Sequence, residues 1–170
     1  AEGFLRETVG AWPALDSKEA RRMILNVDGD TKVVPRSGFG PRLIYVVGGS
    51  GTDNERLSMV QLYDPQNASW TQLAGMAGPR TFHGCVALDG KLYAVGGRGA
   101  AGQVLDTAEV YDPQTDGWQP LAKMTTARYV FGLAAVGGKV YAIGGRCSGS
   151  LESVEAYDPQ LGSWALVASM

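Results

Sequence analysis

Four arginines recur at fixed places in this chain, and the chemistry they suggest is a ring of guanidinium groups. Arg80 and Arg128 each stand four residues after a methionine, and Arg98 and Arg146 each directly follow a glycine doublet. Ser50 holds the place after the doublet in the first repeat. Guanidinium groups make bidentate hydrogen bonds to carboxylates and phosphates, so such a ring fits an acidic or phosphorylated peptide. A structural alternative stands beside it, in which Arg80 and Arg128 pair with loop carboxylates of the chain itself. The candidate partner-binding residues are Ser50, Arg80, Arg98, Arg128 and Arg146.

Other chemistry is scarce. His83 is the single histidine, so a multi-histidine metal site is excluded within the chain. It lies in an apolar run with no nucleophile or orienting carboxylate in a motif, and it reads as a packed strand residue. No paired carboxylates stand out as an acid/base couple, so the sequence calls for no enzyme activity and no cofactor. Cys85 is expected buried and inert. Cys147 sits beside Arg146 in a loop, where a lowered thiol pKa would bring redox sensitivity, and the plain reading is an incidental loop thiol. Two cysteines make no disulfide framework, which favours a reducing, cytoplasmic compartment. With 15 basic and 17 acidic residues there is no basic excess for nucleic acid or an anionic membrane. No apolar run approaches the ~18 residues of a membrane-spanning helix.

The elements that must position the arginines come from a repeat. Glycine doublets occur at 48–49, 96–97 and 144–145. Tyr-Asp-Pro begins at Tyr63, Tyr111 and Tyr157, and Trp70, Trp118 and Trp164 follow each tyrosine by seven residues. Met76, Met124 and Met170 follow each tryptophan by six. The second copy shows the unit. Phe82–Leu88 is a buried strand interrupted by glycine, Asp89-Gly90 a hairpin turn, Leu92–Val95 a second strand, Ala108–Tyr111 a third and Trp118–Leu121 a fourth. Four short antiparallel strands per unit of this length describe a propeller blade. The periodic tryptophans, tyrosines and methionines are then packing residues between blades. The start of the first strand and the end of the second lie at one end of a blade, so all four arginines face one mouth. The loops Ser50–Leu57, Arg98–Leu105 and Arg146–Leu151 differ in length and sequence, as recognition loops do.

On these markers the chain resembles a kelch-repeat protein. The fold class is all-β, a partial kelch β-propeller of about three four-stranded antiparallel blades with a short α-helical N-terminal extension. Residues 42–78 form the first repeat, lacking its first strand, residues 79–126 the second and residues 127–170 the third. Residues 28–41 read as a linker. Residues 1–27 read as helical: Asp16-Ser17-Lys18-Glu19 resembles a capping box ahead of Ala20, Met23, Ile24 and Val27 at helical spacing. This segment resembles the end of the BACK domain that precedes the propeller in the Kelch-like family.

That resemblance implies a non-enzymatic protein-interaction module, the substrate-recognition propeller of an adaptor for a cullin–RING ubiquitin ligase. The mouth arginine positions commonly contribute to the substrate face in that family. Cullin would be reached only through a BTB domain, which this sequence does not contain. The alternative is a cytoskeletal scaffold, since some kelch proteins bind actin. About three blades form an arc rather than a closed ring. A truncated form that self-associates through open blade faces is therefore expected.

Overall fold

The computed structural model describes the backbone of residues 23–27, and residues 43–170 apart from 168. Twelve strands lie in this part, with no helix. They are β1 (Met23–Val27), β2 (Leu43–Ser50), β3 (Arg56–Asp64), β4 (Ser69–Leu73), β5 (Gly84–Leu88), β6 (Lys91–Val95), β7 (Ala108–Asp112), β8 (Gly117–Pro120), β9 (Gly132–Val136), β10 (Lys139–Ile143), β11 (Val154–Asp158) and β12 (Ser163–Val167). They form three sheets of four strands, each an antiparallel meander in chain order. The first strands of the sheets neighbour one another, β5 lying against both β1 and β9. The sheets are therefore blades set around a common axis, with β1, β5 and β9 innermost.

Two expectations are corrected at the N-terminal side. The helix through Met23, Ile24 and Val27 is a strand, and the first blade does have its first strand, with Met23 opposite Val47 and Val27 opposite Leu43. The physical reason is the free edge of β2. A strand of eight residues, six of them buried, would leave a row of unpaired backbone groups at the centre of the molecule. Met-Ile-Leu-Asn-Val satisfies that edge, and pairing overrides a weak helical spacing. The rest of the segment read as BACK-like, and the linker, lie outside the described residues.

The core is not inside any blade but between blades. Along β6, Leu92 and Ala94 point to the first blade and pack with Tyr45, Val47, Val60 and Met76. Tyr93 and Val95 point the other way, to Val140, Ala142 and Tyr157 of the third blade. Strict alternation thus gives a strand buried on both faces, which explains why it reads as a continuous apolar run. Fully burying a side chain such as Leu92 contributes roughly 1.5–3 kcal/mol. Met76 and Met124 close the two seams, and Met170, at the same place in the third blade, is exposed.

The tyrosine-to-tryptophan spacing has a direct cause. Tyr63 faces Trp70, Tyr111 faces Trp118 and Tyr157 faces Trp164 across adjacent strands. Their rings lie 4.7, 5.3 and 5.3 Å apart. The indole N–H of Trp118 then donates to the Ala74 carbonyl of the preceding blade, and that of Trp164 to Ala122, both at 2.9 Å. The intervening Asp-Pro forms the turn. Asp64, Asp112 and Asp158 each accept the backbone N–H two residues on, through Oδ1.

The glycine doublets serve the same seams. Gly97 has φ of +93°, and a Cβ there would stand 2.7 Å from both His83 Cβ and the Thr81 carbonyl. Its N–H donates to the Arg128 carbonyl at 2.8 Å, as Gly49 does to Arg80. Glycine is required here for both its backbone freedom and its missing side chain.

Candidate partner-binding face

Each sequence-predicted arginine lies at the same end of its blade. Arg98 bridges Thr81 across the ends of the first two strands of blade two, and Arg146 bridges Tyr129 in blade three. The four side chains then part company.

Arg80 and Arg128 turn inward, with 4% and 0% of their surface exposed. Arg80 is paired with Glu109 at 2.7 Å and donates to the carbonyls of Gly96 and Thr107. Arg128 is paired with Glu155 at 2.7 Å and donates to the carbonyls of Gly144 and Ser153. The carboxylates in turn hold the chain leading into each blade. Glu109 accepts the N–H of Ala77, and Glu155 those of Thr125 and Thr126. Meanwhile the backbone of each arginine is bonded to the previous blade, Arg80 to Gly49 and Leu57, Arg128 to Gly97 and Leu105. The two residues rivet blade to blade. Arg80 and Arg128 are therefore removed from the binding surface: both side chains are buried and their terminal nitrogens bond inside the fold.

Arg98, Arg146 and Ser50 remain. Arg98 is half-buried, and its guanidinium carbon lies 4.2 Å above the centre of the Tyr129 ring. Arg146 is exposed. Neither is ion-paired among the described residues. Ser50 ends β2 opposite Arg56, half-buried. Arg56 donates to the Ala100 carbonyl at 2.8 Å and so ties the loop after β2 to the loop after β6.

Sequence reasoning missed two residues here. Phe82 does not begin a buried strand. It stands before β5, 59% exposed, with φ of +55°. Val130 stands at the same place before β9, 56% exposed, with φ of +50°. Left-handed backbone at a non-glycine residue costs about 1–3 kcal/mol and needs support from its surroundings. The apolar types of these residues hid them among the strand residues. Their position two after each arginine is the signal that could have drawn attention.

His83 is buried, and neither ring nitrogen has a hydrogen-bond partner among the described residues. Burial, helped by the nearby charge of Arg80, pulls its pKa down to about 4. The unfolded chain takes a proton near pH 6.5 while the folded chain does not. Stability is therefore complete above pH 6.5 and is lost as pH falls from 6.5 towards 4. The loss is on the order of 3 kcal/mol. Urea titrations across this range should show that slope flattened in His83→Leu; an unchanged slope would rule the cause out. Burial pushes the Cys85 thiol up to about 12, so it stays protonated. Cys147 is half-buried in the loop after Arg146.

Residues 15–170 match the family described as the KLHDC2/KLHL20/DRC7 Kelch-repeats domain. The chain belongs to this kelch-repeat family. The match begins at residue 15, inside the segment read as BACK-like, which agrees with β1 being part of the first kelch blade. Among curated proteins, the kelch chain is similar to Kelch-like protein 40 of Mus musculus, 29% identical over 96 residues, covering 49% of this chain and 16% of that protein. It is 43% identical over 49 residues to an F-box/kelch-repeat protein of Arabidopsis thaliana, covering 29% and 13% of the two. It is 31% identical over 74 residues to Kelch-like protein 41b of Danio rerio, covering 44% and 11%. Its match thus spans under a fifth of the length of each of these relatives. The solved structure of YjhT has the same fold, with a TM-score of 0.70 at 17% identity, covering 88% of this chain and 52% of that one.

Proposed function

We propose that this kelch domain is a non-enzymatic interaction module. It binds a segment of a partner protein at the mouth carrying Ser50, Phe82, Arg98, Tyr129, Val130 and Arg146. One observation carries the reading: two guanidinium groups with no carboxylate partner among the described residues stand at the blade end that also exposes two large apolar side chains. Arg80 and Arg128, by contrast, are consumed in holding the blades together. A peptide with acidic groups suits the free arginines. Kelch-family membership and similarity to two Kelch-like proteins support a finer proposal, that the bound partner is a substrate presented to a cullin–RING ligase in the cytoplasm.

Selection of a random-peptide display library on the immobilised chain tests the mouth. Acidic peptides are expected to be enriched. The paired substitution Arg98→Glu and Arg146→Glu should weaken them by about tenfold or more. Enrichment that is indifferent to both charges would overturn the reading.

A further inference from the structure

We infer that Phe82 and Val130 form an apolar subsite, which selects partner segments carrying a hydrophobic side chain next to a carboxylate. This deepens the proposed binding face and rests on it.

The two residues occupy equivalent places in adjacent blades and touch across the seam. The N–H of Val130 donates to the carbonyl of Phe82 at 3.1 Å. Both have left-handed backbone, with φ of +55° and +50°. Glycine or asparagine adopts that backbone readily, whereas a β-branched residue such as valine is a true outlier there. The chain thus places a phenylalanine and a valine where neither the backbone nor water favours them, and it does so twice. Neither residue belongs to the two hydrophobic cores. Retention of disfavoured apolar residues on a surface points to a use for that surface.

The charge pattern says what covers it. Arg98 bridges Thr81, the neighbour of Phe82, and Arg146 bridges Tyr129, the neighbour of Val130. The backbone of an arginine thus pairs beside each apolar residue in both blades, and the Arg98 guanidinium reaches across to the ring of Tyr129, next to Val130. The complementary occupant is a peptide segment from a partner protein in which an aliphatic or aromatic residue adjoins an aspartate or glutamate. Acidic character alone would leave the apolar pair wet, and apolar character alone would leave the arginines unpaired.

The same display selection, run on the whole chain, tests this. Enriched peptides should pair a hydrophobic residue with a neighbouring acid. Phe82→Asn with Val130→Asn should weaken a selected peptide by about tenfold or more. Asparagine tolerates the left-handed backbone, so the thermal midpoint should hold or rise, which separates lost binding from lost folding. Enrichment of purely acidic peptides, sensitive to Arg98→Glu with Arg146→Glu but not to the asparagine pair, would overturn the subsite and leave the binding face standing. No enrichment at all would overturn both. Self-association of the chain that the asparagine pair abolishes would assign the apolar pair to a second copy and overturn the peptide subsite.

Discussion

Arg128→Met is expected to destabilise the domain by about 3–5 kcal/mol, the usual cost of leaving one partner of a buried ion pair alone. Both Arg128 and Glu155 have fully buried side chains, and the pair is 2.7 Å apart. Methionine fills the space, but the Gly144 carbonyl loses its arginine donor and the Ser153 carbonyl is left with the Gly144 N–H alone. Glu155 keeps the N–H groups of Thr125 and Thr126 and loses its counter-charge. For a domain of this size the melting midpoint should fall on the order of 10 °C. The comparison is Arg146→Met, an exposed arginine in the same blade, whose effect should stay within about 0.5 kcal/mol. Denaturant midpoints of the two variants decide the matter. Equal, small shifts would mean that the buried pair does not join the blades.

Gly97→Ala should be a damaging change for the addition of a single methyl group. The left-handed backbone costs roughly 1–2 kcal/mol with any Cβ. Crowding against Thr81 and His83, each 2.7 Å from the new carbon, adds roughly 1–3 kcal/mol. Gly90→Ala isolates the second contribution, because Gly90 also has positive φ and nothing lies within 4 Å of its Cβ position. The first variant should unfold at clearly lower urea than the second. If the two coincide, Gly97 is needed for its backbone conformation alone and not for close approach to the start of the first strand of its own blade.

The three-blade pattern was legible because its markers act locally. Tyrosine and tryptophan seven apart are cross-strand neighbours, and the Asp-Pro between them makes the turn, so spacing alone reveals a hairpin. The ends of the arginine side chains were not legible in the same way. Whether a guanidinium group faces water or a carboxylate depends on a residue nearly thirty positions on. A sign was nonetheless present: Glu109 and Glu155 each stand two residues before the repeat tyrosine, a marker as regular as the tryptophans. In the first blade that place is Gln61, opposite Val46 as Glu109 is opposite Ala94. Phe82 and Val130 were illegible for a different reason. Apolar type predicts burial, and only backbone geometry shows that these two stand outside the strands.

The rivets also bear on how such chains change length. Arg80 and Arg128 make the same bonds, backward through the backbone to a glycine N–H and a leucine carbonyl, and forward through the side chain to a glutamate. They lie 48 residues apart. If the stretch between them were duplicated or deleted, the next arginine would arrive at the same glycine in the same register. Every seam would still be closed, with no new residue needed at the join. A contact that looks backward and forward in this way makes the repeat a genetic cassette, and a gene can add or drop blades in whole units while the joints between them stay intact.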